Sequence, residues 1–186
     1  MVLKRTEEVL LLLKTNGYNE NIRVTEDMIF FYGRETPFSN MYKSSFTDNS
    51  AVYVCSEQYF QFTKMMQCQE KDRAMCIMNT ASPYEMKRLG NMKSENFNVK
   101  QWDQQSTEVL FKANWLKFTQ SENLTNLLLA TGSKILVEAN PRDNNWGIGM
   151  DMWNSNAIHP NKWNGRNRFG SILMDIRSWL QQSKSF

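Results

Sequence analysis

The chain has 186 residues, of which 41% are hydrophobic, 22% charged and 12% aromatic. This length suits a single domain, and these proportions exclude an intrinsically disordered chain. No apolar run approaches the roughly 20 residues that a membrane helix needs, so we expect no membrane partner. The formal net charge of +3 admits a phosphorylated ligand but falls short of a dedicated nucleic-acid-binding protein.

The cysteine and histidine content narrows the chemistry further. Three cysteines, an odd number at irregular spacing, predict a reduced compartment, so we expect an intracellular protein, cytoplasmic or nuclear. The single histidine, His159, argues against both a structural zinc site and a histidine-based nucleophilic triad. We therefore expect no metal and no cofactor, and chemistry carried by carboxylates, lysines, hydroxyls and amides.

Apolar periodicity, caps and breakers divide the chain into short elements. The first predicted helix, at 6–16, either docks on the domain or forms an N-terminal arm. The strongest start signal is Ser82, followed by Pro83 and by Glu85, which together form a capping box. The predicted helices cover 6–16, 56–67, 66–79, 83–90, 102–118, 122–130 and 170–180, and the predicted strands cover 28–32, 51–55 and 135–137.

The helix at 56–67, which Ser56 is expected to cap, carries two different stripes. The apolar stripe is expected to face the core and contains Tyr59, Phe62 and Met66. The polar stripe contains Glu57, Gln61 and Lys64. If the polar stripe lines a pocket, Glu57 can act as general acid/base and Lys64 as an amine nucleophile or phosphate contact. The alternative is a solvated helix face with one ordinary charged pair, worth a few tenths of a kcal/mol.

The segment 140–168 has three tryptophans and eight asparagines but almost no helical or strand periodicity. A connection of this length without regular structure is usually functional or disordered, and the tryptophans favour an ordered binding loop. Trp146 could stack on a base or sugar, and Asp143 could hold a hydroxyl. Gly147 and Gly149 would let the backbone approach phosphate oxygens. The alternative is a tryptophan that plugs the loop.

The end of that segment, 163–170, leads into the last predicted helix. A glycine-containing turn at a helix N-terminus can bind an anion, and Arg166 or Arg168 would reinforce it. Ordinary helix-start chemistry is an equally good interpretation of these residues.

Taken together, these motifs resemble the NADAR family, also called YbiA-like. The resemblance covers about 30–180, nearly the whole chain. The blocks that carry it are Phe31-Tyr32 with Pro37-Phe38-Ser39-Asn40, Ser56 to Gln61 with Lys64, Gly90 and Trp102, Leu136-Val137-Glu138 with Asp143, Trp146-Gly147-Ile148-Gly149, and Trp163 to Asn167 with Gly170. Each block is modest alone, but the ordered set is specific.

The resemblance implies a single compact, predominantly helical α+β domain with a few short strands, which we place at 23–183, after an arm at 1–22. It implies cleavage of N-glycosidic bonds to ribose phosphates, with Glu57, Lys64 and Asp143 as catalytic residues and a Schiff-base role for Lys64. The substrate-binding residues that it implies are Phe31, Tyr32, Ser39, Asn40, Gln61, Gly90, Trp102, Trp146, Gly147, Ile148, Gly149, Arg166 and Asn167. Asn91 departs from the family pattern, which often has arginine there, so the phosphate contact of that arginine has no counterpart at this position.

Three hypotheses about function follow from these residues and the resemblance. The leading one is a hydrolase that removes ADP-ribose from guanine in DNA, RNA or a nucleotide. The second is an N-glycosidase of riboflavin-biosynthesis intermediates, whose partner would be a small ribose phosphate. The third is a non-catalytic module that binds ADP-ribose or nucleotides without turnover.

Overall fold

The computed structural model describes residues 2–183, a range that contains seven α-helices, one 3-10 helix and six β-strands. The helices are α1 (Val2–Thr15), α2 (Ser56–Gln67), α3 (Lys71–Asn79), α4 (Pro83–Gly90), α5 (Val99–Thr119), α6 (Glu122–Ala130), the 3-10 helix (Pro160–Lys162) and α7 (Arg168–Ser183). The strands are β1 (Tyr18–Asn19), β2 (Ile22–Val24), β3 (Met28–Phe31), β4 (Phe46–Asp48), β5 (Ala51–Tyr53) and β6 (Ile135–Glu138). The predicted α+β class, mostly helical, is confirmed. Met1, the first residue of the predicted arm, lies outside the described residues.

The described residues form two compact units. Unit 1 contains residues 2–39 and 121–183, and unit 2 contains residues 40–120. Unit 2 is therefore inserted into the chain of unit 1. The predicted boundary between 22 and 23 does not coincide with either junction and stays a prediction.

Unit 1 is built on a four-stranded sheet in the order β1-β2-β3-β6. The first three strands are antiparallel neighbours, whereas β3 and β6 are parallel, with Phe30 opposite Val137. All four residues of β3 are buried, as is typical of a strand covered on both faces. Helix α7 packs against β6, and α1 packs against α6. The segment 140–167, which contains the 3-10 helix, follows β6, whose two central residues are buried.

Unit 2 is a helical unit in which α2 packs against α3, α4 and α5. Strands β4 and β5 form a separate antiparallel pair, with Phe46 opposite Tyr53. The first six residues of α2, from 56 to 61, are all buried, including three that are polar and one that is charged. One core cluster contains Cys55, Met65, Cys68, Ala74, Ile77 and Met86. The start of α2 is therefore an interior segment.

Two predictions about α2 are wrong. Its N-cap is Cys55, and Ser56 is the first helical residue. The Ser56 hydroxyl donates to Asn114 Oδ1 at 3.2 Å, so it bonds to α5 and does not cap its own helix. Met66 is 42% exposed, and Met65, at 1%, takes the core position. A shift of one residue rotates a helix by about 100°, which moves the side chain from the core to the surface.

Other boundaries agree more closely with the prediction. The Ser82 hydroxyl accepts a hydrogen bond from the Glu85 backbone N–H at 3.4 Å, which confirms the cap of α4. Strands β1, β2 and β4 were not predicted, because two or three residues are too few to show a period. Within the described range, no helix is both long and apolar enough to cross a bilayer.

Candidate active site

Glu57 lies in the first turn of α2 and is only 6% exposed. Its carboxylate accepts one hydrogen bond on each oxygen: Gln61 Nε2 donates to Oε1 at 2.8 Å, and Asn40 Nδ2 donates to Oε2 at 2.9 Å. The backbone also joins these segments, since Glu57 N–H donates to Asn40 C=O at 2.9 Å. Two neutral amides hold the carboxylate in one orientation without neutralising its charge. The interpretation of a solvated helix face is therefore wrong at Glu57 and Gln61.

Lys64 lies two turns after Glu57 on the same helix. Its Nζ donates to Asn91 Oδ1 at 3.3 Å and lies 4.8 Å from the centroid of the Phe97 ring. The ion pairs between described residues do not include Glu57 with Lys64. Burial lowers the pKa of Lys64, and electrostatic interactions with Cys68 and Glu57 oppose part of that shift. A lowered pKa increases the neutral fraction of the amine, which is its nucleophilic form.

The Gln61 side chain lies against the backbone of Gly90, and a Cβ at Gly90 would collide with Gln61 Oε1. Gln61 is 4% exposed, and its Oε1 has no hydrogen-bond partner within the described part of the chain. A buried, unsatisfied carbonyl oxygen beside a buried carboxylate can accept a hydrogen bond from a ligand hydroxyl. Gly90 therefore belongs to the candidate site, because the absence of its side chain leaves room for Gln61.

Trp102, on α5, is half-buried and packs on Phe60 of α2, with ring centroids 5.0 Å apart. Phe60 is the third residue after Glu57, so this aromatic pair lies on the same end of α2 as the carboxylate.

Sequence reasoning missed Asn114. It lies on α5, is 0% exposed, and its Nδ2 donates to Asn40 Oδ1 at 3.1 Å. A signal for it exists, because Asn114 follows the buried Leu110 by four residues and so lies on the buried stripe of α5. A polar side chain on such a stripe requires a polar partner.

In unit 1, Asp143 shapes the loop that follows β6. Its Oδ1 accepts from the backbone N–H groups of Asn145 at 2.9 Å and Trp146 at 2.8 Å, which closes a tight turn. The half-buried Trp146 ring has the Arg168 guanidinium 4.5 Å from its centroid. Arg168 also donates to Asn145 Oδ1 at 2.9 Å. The turn and the cation together hold the indole in place.

Other predicted residues of this loop contact the backbone of unit 1. Ile148 is fully buried, and Gly149 has a φ of +62°, a conformation that favours glycine. Asn167 donates to Leu136 C=O at 2.8 Å and accepts from Glu138 N–H at 3.0 Å, so its amide pairs with β6 as a strand would. Gly147 is buried, and Arg166 has an exposed side chain.

The remaining predicted residues of unit 1 come from β3 and the turn after it. Phe31 is 0% exposed and packs against Phe38 and Phe169, with centroid distances of 5.5 Å and 6.0 Å. Tyr32, the next residue, is 38% exposed, whereas Ser39 is buried at 7%. The structure thus encloses the Phe31 ring in apolar surroundings and leaves Tyr32 open to solvent.

Among residues 2–183, no three His, Cys, Asp or Glu side chains are grouped as metal ligands would be. The predicted absence of a cofactor stays a prediction.

The α+β fold, together with an acid and an amine on one helix, defines a candidate enzyme. The chain belongs to the NADAR family, because the NADAR domain matches residues 30–181. It is 34% identical over 169 residues to N-glycosidase R617 of Acanthamoeba polyphaga mimivirus, covering 85% of this chain and 99% of that protein. It is 31% identical over 128 residues to a maize protein named "Riboflavin biosynthesis protein PYRR, chloroplastic", covering 66% of this chain and 19% of that protein.

A solved structure is also similar. The NMR structure of the E. coli protein YbiA has a TM-score of 0.69 and 28% sequence identity, covering 89% of this chain and 92% of YbiA. The resemblance inferred from the motifs is therefore confirmed.

Proposed function

We propose that this chain is an N-glycosidase and that its substrate is guanine carrying ADP-ribose in DNA, RNA or a nucleotide. The observation that supports this most strongly is the arrangement on α2. A buried carboxylate, Glu57, is held by two amides, and Lys64, whose pKa is lowered by burial, follows on the same helix. Relatives named N-glycosidase support the reaction class.

Cleavage of a ribosyl C1–N bond requires that the leaving nitrogen be protonated and that positive charge at C1 be relieved. In the proposed reaction, the Glu57 carboxyl group donates its proton to the base nitrogen as the C1–N bond breaks. The neutral Lys64 amine forms a bond to C1, and one of its protons passes to the ring oxygen as the ribose ring opens, which gives a protonated imine. Water then adds to C1 and gives a proton to the Glu57 carboxylate, which restores the acid. The C1–N bond to lysine breaks as the C1 aldehyde forms, which releases ADP-ribose and the neutral amine.

The contact between Lys64 and Asn91 is compatible with this role. A neutral amine can donate one N–H to Asn91 Oδ1 and keep its lone pair available for C1. Asn91 replaces the arginine that is common in the family, so no arginine cation at this position helps to lower the pKa of Lys64. Burial is the main cause of the shift, and we expect this protein to depend on it.

The test is incubation of the protein with an oligonucleotide that carries ADP-ribosyl-guanine. We expect release of ADP-ribose, and we expect borohydride to reduce the imine and leave an adduct on Lys64 that mass spectrometry can locate. Lys64→Met should abolish the adduct, and Lys71→Met, an exposed lysine on α3, is the matched control. Release by Lys64→Met at the wild-type rate would contradict the proposed role of Lys64.

A second substrate has support from one comparison. The maize relative is named for riboflavin biosynthesis, which favours a small ribose phosphate attached to an aminopyrimidine. Product analysis with that compound, and the ratio of kcat/KM for the two substrates, would decide between them. A module that only binds ADP-ribose would bind tightly, show no turnover and tolerate Glu57→Gln.

A further inference from the structure

Four polar side chains from three segments of unit 2 form a continuous chain of hydrogen bonds that ends on Glu57. Ser56 Oγ donates to Asn114 Oδ1 at 3.2 Å, and Asn114 Nδ2 donates to Asn40 Oδ1 at 3.1 Å. Asn40 Nδ2 then donates to Glu57 Oε2 at 2.9 Å. Asn114 is 0% exposed, so water does not compete for its amide. The chain joins α5 to α2 through the segment that contains Asn40.

The backbone carbonyl of Leu110, at the Asn114 end of this chain, determines which atom donates in the hydrogen bonds between the amides. Asn114 Nδ2 also donates to Leu110 C=O at 2.9 Å, and a backbone carbonyl can only accept. This contact fixes which end of the Asn114 amide is the donor, so Asn40 must present its Oδ1 to Asn114. Asn40 therefore has only its Nδ2 left for Glu57. The helix carbonyl thus determines that a donor, not an acceptor, faces the Glu57 carboxylate.

We propose that Asn114 is a positioning residue that acts through Asn40 to hold the Glu57 carboxyl group in a single orientation. The effect of Asn114 on catalysis rests on the proposed function, whereas its effect on Glu57 rests on the contacts described above. Asn114 bonds to Ser56, Leu110 and Asn40 and does not bond to Glu57 directly. Its removal frees the Asn40 amide to turn, which takes one donor away from the carboxylate.

A double-mutant cycle separates this role from a general structural one. We expect Asn114→Ala to shift the carbon-13 resonance of the Glu57 carboxyl group, assigned with Glu57→Gln, because Asn40 Nδ2 is no longer held against Oε2. We expect kcat to fall about tenfold, because a misplaced acid protonates the leaving nitrogen less effectively, with KM nearly unchanged. In an Asn40→Ala background, Asn114→Ala should cause no further change in either quantity.

Gln104→Ala, at an exposed position of the same helix, is the matched control. An unchanged Glu57 carboxyl resonance in Asn114→Ala, or equal effects with and without Asn40, would overturn the proposal. If Asn114→Ala does not fold, Asn114→Leu keeps the branched shape of the side chain and carries the same test. A chain that unfolds with both replacements would assign Asn114 to stability alone and would also overturn the proposal.

The NMR measurement needs no substrate, so it tests the hydrogen-bond chain even if the proposed reaction is wrong. Conversely, wild-type activity in Glu57→Gln would contradict the proposed function and leave the NMR result to decide on Asn114.

Discussion

Two regions of this protein are rich in polar side chains, and they use them differently. In unit 2, the side chains of Asn40, Glu57, Gln61 and Asn114 bond to one another. In the loop of unit 1, polar side chains bond mostly to the backbone, as Asp143 does with two N–H groups. Hydrogen bonds between side chains are only about 10–15% of those in folded proteins. A cluster of them is therefore the stronger indication of a chemical site.

The comparison shows that asparagine side chains take different hydrogen-bond partners in the two regions. In a long loop, amides replace the backbone partners that a helix or a strand would supply, as Asn167 does for β6. In a helical interior most backbone groups already pair with each other, so the buried amide of Asn114 bonds to two side chains as well as to one backbone carbonyl. The four predictions below test this distinction, from the largest expected effect to the smallest.

The first prediction compares two carboxylate-to-amide changes. Glu57→Gln should lower kcat by about 10²- to 10⁴-fold, because it removes the proposed acid. Asp143→Asn keeps an oxygen that can accept from Asn145 and Trp146, so we expect the turn and most of the activity to remain. Release of ADP-ribose under single-turnover conditions measures both. Equal losses would show that Asp143 also takes part in the chemistry, as the family resemblance implies.

The second prediction concerns the stability of the unit 1 loop. Asn167→Ala removes two hydrogen bonds to β6 and leaves alanine at a φ of +51°. Unpaired buried backbone groups and the left-handed conformation should together cost about 3 kcal/mol. Unfolding in urea measures the loss, with Asn161→Ala in the exposed 3-10 helix as control. A loss below about 1 kcal/mol would contradict a backbone role.

The third prediction concerns Lys117, which is 1% exposed and lies 5.5 Å from the Tyr42 ring centroid in unit 2. Burial lowers the pKa of Lys117 from 10.5 to about 7. Between these values the unfolded chain binds more protons than the folded chain, so this group makes the free energy of unfolding rise with pH.

From about pH 6.5 to about pH 8.5, that rise should be roughly 2 kcal/mol larger in wild type than in Lys117→Met. Urea unfolding at both pH values measures it. Lys112→Met, which removes a half-exposed lysine paired with Asp48, should leave the difference unchanged. Equal pH dependence in wild type and Lys117→Met would show that Lys117 titrates outside this range.

The smallest expected effect is at Asn91. Asn91→Asp places a carboxylate beside the Lys64 amine, which stabilises its charged form and raises its pKa. We expect the limb of the kcat/KM profile that reports the amine to move up by about one pH unit, with up to about tenfold lower activity at neutral pH. Asn96→Asp, in the same exposed segment, is the control. An unmoved profile would argue against Lys64 as the nucleophile.

Local signals were sufficient for much of the fold. Helix α6 was predicted with its observed bounds, and the cap at Ser82 was found, because caps and apolar periods depend on neighbours within about four residues. The prediction failed where hydrogen-bond partners lie far apart in the sequence. Asn40 and Asn114 are 74 positions apart, and no local pattern indicates that they bond. Met66 was misassigned because Met65, beside it, is equally apolar and only packing distinguishes them.

From the sequence by itself came the chemical groups available, the family, and the helical spacing that places Glu57, Gln61 and Lys64 along one side of α2. Helical geometry guarantees that spacing, but it says nothing about what covers the helix. Only the tertiary structure decided that Glu57 is buried, that two amides face it, and that α5 supplies the residue behind them. Burial and hydrogen-bond direction depend on segments far apart in the chain, and these meet only when the chain folds.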